Sequence, residues 1–165
     1  MSREHQMMAS LADLGMAVTL HEHEAVYTVE ESAVLHAEIA GDHTKNLFLK
    51  DAGGAFWLVT APHDQRVDLK ALPAVIGSKK LSFGKAEDME QLLGVTPGSV
   101  TPLAAFNDQE AKVRVVLDRT LALSGCINVH PLRNTATLSI AGPDLVKFLA
   151  THQHEVLVVD LPEPQ

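Results

Sequence analysis

A mixed α/β fold, with a curled, barrel-like sheet of about seven strands and short helices packed outside it, is predicted by three features of the chain. Short apolar runs rich in Val, Leu and Ile recur between Gly, Pro and Asp punctuation, as strands do. Segments with apolar residues at helical spacing are interleaved with them. The connections are too varied in length for a doubly wound parallel sheet, and no segment repeats at a fixed period. At 165 residues, with 46% hydrophobic and 21% charged residues, the chain is expected to form one domain spanning 1–165. Five Phe, one Trp and one Tyr leave most of the packing to aliphatic side chains.

The elements follow in order. Met7, Met8, Leu11 and Leu14 mark a helix over residues 4–14 that stops at Gly15. Residues 16–24 alternate loosely as a strand, and His21 and His23 there share one face. Two histidines without a third ligand read as an exposed polar face. Thr28-Val29-Glu30-Glu31 fits a capping box for a helix over 29–39, with Val34, Leu35 and Ile39 inward. The strand ending in Leu47-Phe48-Leu49-Lys50 places Leu47 and Leu49 on one face and Asn46, Phe48 and Lys50 on the other. The turn Asp51-Ala52-Gly53-Gly54 joins it to a second apolar run, 55–61, as a hairpin.

A short helix over 68–76, broken by Pro73 and closed by Gly77, precedes a short strand at 81–84. Residues 86–93 form a helix with an acidic start and Gly94 at its end. The segment 96–102 is a loop with two prolines, and Gly98 lets another group approach its backbone closely. Strands are expected at 112–117, 125–130, 134–140 and 155–160, with a turn or short helix at 119–123 and a helix from Gly142 to His152.

The composition narrows the function. A formal charge of −8 argues against coating long nucleic acid, but leaves room for contact with a few phosphates. Lys79, Lys80 and Lys85 read as a solvated face. The single cysteine, Cys126, excludes an internal disulfide and, inside Gly-Cys-Ile-Asn-Val, reads as a small core thiol. No apolar run approaches membrane-spanning length and the N-terminus reads as helix, so the cytoplasm is the expected compartment. GxGxxG, GxxxxGK[ST] and GxSxG are all absent. His152-Gln153-His154 reads as surface. What stands out is Lys45 beside Asn46 at the mouth of an otherwise apolar strand, where the ordinary alternative is a solvated strand-end lysine.

Three pieces of the chain occur in a telling order: Thr44-Lys45-Asn46-Leu47-Phe48-Leu49, the GxxxP loop Gly98-Ser99-Val100-Thr101-Pro102, and Gly125-Cys126-Ile127-Asn128-Val129-His130-Pro131. Together they resemble the YbaK/prolyl-tRNA synthetase-associated family of trans-editing deacylases, over nearly the whole chain. Lys-Asn before Leu-Phe-Leu, with Phe56-Trp57-Leu58-Val59, most resembles the freestanding alanine-specific branch. The resemblance implies hydrolysis of alanine mischarged onto proline tRNA, and it supports the mixed barrel-like fold.

Ester hydrolysis at an RNA end needs a positioned water, donors for the oxyanion and a held ribose, with no strong nucleophile. Lys45, Asn46 and His130 are the expected catalytic residues. Lys45 serves as a point charge on the terminal phosphate, Asn46 meets the sugar or ester, and His130 anchors substrate in preference to shuttling protons. Gly98, Ser99, Val100, Thr101 and Pro102 are the expected substrate-binding loop. No metal and no cofactor are expected. The expected partner is the single-stranded acceptor end of mischarged tRNA, which an acidic protein can grip through few contacts. Prolyl-tRNA synthetase or an elongation factor would be a transient partner, and neither DNA nor membrane is expected. Two alternatives stay open: a non-catalytic RNA-end or protein-binding module on the same fold, and a deacylase for Cys- or Ser-tRNA.

Overall fold

The computed structural model describes residues 2–25 and 29–165. The capping box expected at Thr28 lies outside the described residues. The helices are α1 (Arg3–Asp13), α2 (Val29–Glu38), α3 (Leu72–Ile76), α4 (Ala86–Leu93), α5 (Arg119–Ala122) and α6 (Gly142–Thr151). The strands are β1 (Val18–Glu22), β2 (Asp42–Asp51), β3 (Phe56–Pro62), β4 (Leu81–Phe83), β5 (Val113–Asp118), β6 (Ile127–Val129), β7 (Ala136–Ile140) and β8 (Leu157–Val159). The mixed α/β class is as expected, with eight strands among the described residues in place of about seven. The loop after α4 is not wholly irregular: 3₁₀ turns occupy Pro97–Ser99 and Pro102–Asn107.

The strands run in the order β1-β7-β6-β2-β3-β5-β8, with β4 added to the far end of β2. β1 pairs with β7 and β8 with β5, and the two edges are not paired with each other, so the curled sheet is open. Parallel and antiparallel ladders are mixed: β3–β5, β5–β8 and β2–β6 are parallel.

The hairpin turn shows why Asp51 begins it. Its carboxylate accepts from the amides of Gly53 (2.9 Å) and Ala55 (3.0 Å) and from the Trp57 indole (3.2 Å). Gly54 supplies the positive φ that the reversal requires. The faces alternate along β2 as expected. Leu49 packs with Trp57, Val59, Leu72 and Val116, while Phe48 packs with Leu58, Met89, Leu93 and Val113. A third cluster joins Met7 and Leu11 of α1 to Leu145, Phe148 and Leu149 of α6 over Leu117, Ile127 and Leu138 of the sheet.

β2 changes partners along its length, and this sets up everything that follows. On one flank it pairs with β3 from Thr44 to Lys50. On its other strand pairings, Asp42 and His43 meet β6, and Leu49 to Asp51 meet β4. Between them, Thr44 to Phe48 have β3 as their strand partner and no second one. An interior strand with such a gap must satisfy its polar groups by other means.

Several expectations are corrected. Val34 is 60% exposed, because α2 turns Leu35 and His36 toward a cleft and only Ile39, just beyond the helix, becomes buried. Cys126 is half-buried just before β6, and its Sγ lies 3.9 Å from the Ala40 carbonyl, so it is not a core thiol. His154 is buried with Nε2 2.8 Å from the Asp108 carbonyl, and His152 meets the Ser10 hydroxyl, so this segment is not simply surface. His21 and His23 are half-buried, held by the Ser139 and Thr137 hydroxyls of β7. Among the described residues no helix is long and apolar enough to cross a membrane.

Candidate functional site

The gap in β2 opens onto a cleft of about 750 Å³, walled by α2, the β2 mouth from His43 to Asn46, His63 just beyond β3, and the ends of β6 and β7. Gly41 allows the chain to enter it. Its φ is +108°, and a Cβ there would stand 2.6 Å from the Cys126 Sγ and 3.1 Å from the Asn128 side-chain nitrogen. Only glycine combines that conformation with that approach.

Lys45, Asn46 and His130 all line the cleft. Lys45 is half-buried, opposite Ala61 in the hairpin register. Among the described residues its ammonium has no hydrogen-bond or ion-pair partner. A cation held at a cleft wall without a protein anion is available to an anionic ligand.

Asn46 points off the other face and is bonded at both ends. Its Oδ1 accepts from the buried Thr60 hydroxyl (2.6 Å), and its Nδ2 donates to the Val100 carbonyl (3.2 Å). The amide therefore bridges the open flank of β2 to the GxxxP loop. One Nδ2 hydrogen remains for the cleft, since an amide nitrogen carries two.

His130 follows β6, and its Nδ1 lies 3.5 Å from the Ala136 carbonyl. Burial lowers its pKa, only partly opposed by that carbonyl, with His23 adding to the decrease. The ring is thus neutral at neutral pH; with Nδ1 the donor to the carbonyl, Nε2 is left as an acceptor. The segment behind it is pinned by Arg133, which binds Glu4 of α1 and both carboxylate oxygens of Glu22 (2.8 and 2.7 Å).

The GxxxP loop is not among the cleft walls. Gly98 is exposed, Ser99 and Pro102 are buried, Thr101 is fully buried and Val100 is half-buried. One of its amides is already used, as Ser99 donates to the Thr96 carbonyl, and the Thr101 hydroxyl accepts from the amide of Leu103 just beyond the loop. The structure ties this loop to the site through the Asn46–Val100 bond.

Sequence reasoning missed two groups here. Asn128, inside β6 and 3% exposed, donates to the Ala40 carbonyl (3.1 Å) and accepts from Ser139, while its own carbonyl accepts from Thr44 (2.7 Å). It fastens the short β2–β6 seam. His36, His43 and His63 form the second group: His36 and His43 stack with centroids 4.1 Å apart, and His63 meets His36 edge-on at 4.5 Å. They come from three separate segments, and no local spacing relates all three. Among the described residues no group of three or more His, Cys, Asp or Glu is arranged to hold a metal ion.

Comparison with known proteins points in one direction. Residues 23–148 match the family model of the aminoacyl-tRNA editing domain. The chain is 38% identical over 162 residues to the prolyl-tRNA editing protein ProX of Acetoanaerobium sticklandii, covering 98% of this chain and 99% of that one. It is 38% identical over 151 residues to prolyl-tRNA synthetase associated domain-containing protein 1 of Danio rerio, covering 90% and 82% of the two chains. A crystal structure described as a candidate trans-editing enzyme for prolyl tRNA synthetase superposes with a TM-score of 0.72 at 20% identity, covering 99% of each chain, and shows the shared fold.

Proposed function

This chain belongs to the aminoacyl-tRNA editing family, and from that premise we propose that it is a trans-editing hydrolase that cleaves alanine from mischarged proline tRNA. The observation that carries this reading is the convergence of Lys45, Asn46 and His130, from segments distant in sequence, on one cleft where Lys45 has no protein anion among the described residues. At about 750 Å³ the cleft has room for a nucleotide as well as an aminoacyl group.

In the reaction, water attacks the ester carbonyl and the bond to the ribose oxygen breaks; one of the water's protons passes to that oxygen, the other to solvent, and the amino acid leaves as its carboxylate. Lys45 holds the phosphate of the terminal nucleotide and fixes the ester in the cleft. The free Nδ2 hydrogen of Asn46 donates to the ester or its developing oxyanion. His130, neutral with Nε2 as acceptor, orients the water or a ribose hydroxyl. The vicinal ribose hydroxyl assists in positioning the water, so no protein nucleophile is needed.

Specificity follows from size. A synthetase pocket gains only ~1–3 kcal/mol per methylene, too little to exclude a smaller residue, and a second, smaller sieve supplies the rest. The cleft as a whole is too large for that, so the aliphatic wall nearest the ester, including Leu35 and Val129, does the sieving.

The test is single-turnover deacylation of Ala-, Pro-, Cys- and Ser-charged tRNA(Pro). Rapid loss of alanine with proline spared is expected. Equal rates on alanine and proline would overturn the sieve. Binding of the acceptor end without cleavage of any ester would show a binding module.

A further inference from the structure

We propose that His36, His43 and His63 form a stacking platform for the terminal nucleobase of the RNA, one strand step from the phosphate anchor Lys45. This deepens the deacylase reading and rests on it for the identity of the natural ligand. The platform is built from three places: His36 on the last turn of α2, His43 at the start of β2, and His63 past the end of β3. All three line the cleft.

His43 is its fixed member. It is 9% exposed, and its Nε2 lies 2.8 Å from the Ile39 carbonyl. A carbonyl only accepts, so Nε2 carries the hydrogen and the ring's orientation is set. His36 stacks on it with the planes 24° apart. His63 is exposed, stands at 72° to His36, and is tied to β2 through its amide on the His43 carbonyl (3.0 Å). Burial first, then the neighbouring His43 and His63, lower the His36 pKa to about 4. The outer ring of the stack is therefore neutral at neutral pH and presents a flat π-face.

A flat ring stack at the mouth of a polar cleft suits a planar heterocycle, and proteins read unstacked RNA ends by such stacking. The placement also suits a nucleotide. Strand residues two apart share a face, so His43 and Lys45 lie on one face of β2 roughly 7 Å apart along it. A cation and a ring stack at that separation match the phosphate and base of one nucleotide.

The test uses two readouts. The first is the fluorescence of 2-aminopurine riboside 5′-monophosphate, which stacking quenches. Wild-type protein and His36→Phe should quench it, and His36→Ala should not. The second is deacylation of Ala-tRNA(Pro), where His36→Ala should lose about five- to a hundredfold in kcat/KM, mainly through KM, the range for one stacked base. His36→Phe should stay within about threefold of wild type, because a phenyl ring keeps the stack.

Wild-type deacylation with equal quenching by His36→Ala would overturn the platform and leave the deacylase reading standing. Quenching that depends on an aromatic at 36, without deacylation by wild type, would sustain the platform and overturn the deacylase reading. Failure of His36→Phe together with zinc-dependent activity of wild type would show a metal site and overturn the platform.

Discussion

Replacing Lys45 with alanine separates the catalytic reading of the cleft from the ordinary one most sharply. The side chain makes no hydrogen bond or ion pair among the described residues, and its strand is held by the β2–β3 ladder through backbone groups that alanine keeps. Its removal should therefore cost under about 0.5 kcal/mol of stability, the range for surface substitutions away from special features. At about 2–4 °C per kcal/mol for a chain of this length, the melting temperature should move by no more than about 2 °C. A charge-assisted contact to phosphate is worth ~1.5–3 kcal/mol. Its loss predicts a deacylation rate lower by about ten- to a hundredfold. Lys45→Arg should recover part of this, since the planar guanidinium keeps the charge but fills the strand mouth differently. The assay is single-turnover deacylation of Ala-tRNA(Pro) beside a thermal melt. A well-folded Lys45→Ala protein with the wild-type rate would refute the phosphate anchor and leave a solvated lysine.

The other perturbations have different signatures. Asn46→Ala should lower both rate and stability, because it strands the buried Thr60 hydroxyl and the Val100 carbonyl, at roughly 1–3 kcal/mol read by urea melts. An unchanged melt would mean that the bridge to the GxxxP loop carries no load. Gly41→Ala combines a positive φ with the contact on Cys126 and should cost about 1–3 kcal/mol; adding Cys126→Ala should recover the part due to the Sγ contact and leave the backbone part. His36 has a folded pKa near 4 against 6.5 for the free group, so between those values the unfolded chain binds a proton that the folded chain refuses. Stability should be full above pH 6.5 and fall as the pH drops toward 4, with His43, His63 and Lys45 as the charged or titratable neighbours on the cleft wall. His36→Phe should flatten that fall in melts taken across the range, and an unchanged slope would contradict it. Thorough chelation should leave deacylation unchanged, as the described residues hold no metal-ligand arrangement; loss restored by zinc would show otherwise.

Local rules carried a large part of this protein. The β2–β3 hairpin around Asp51, the helix from Ala86 to Leu93 with Gly94 in the left-handed conformation, and the alternation of Leu49 and Phe48 all follow from turn chemistry, capping and the two-residue strand period. Lys45 and Asn46 stood out for the same reason, as polar residues entering an apolar strand. What local rules could not reach were features made by segments far apart in the chain. That β2 is shared between β3, β6 and β4, leaving Thr44 to Phe48 with one strand neighbour, depends on pairings across more than eighty residues at β6. The exposure of Val34 follows from α2 facing a cleft, and helical spacing reports which residues share a face but not what lies opposite. His36, His43 and His63 have no common spacing, and each alone reads as an ordinary polar residue; only the folded chain sets their rings together. The same holds for the GxxxP loop, which sequence places beside the substrate and the structure joins to the site through the Asn46 amide. Periodicity and capping act over a few residues, whereas a binding cleft is a gap between elements, and its shape is decided by which strands pair and where they stop pairing.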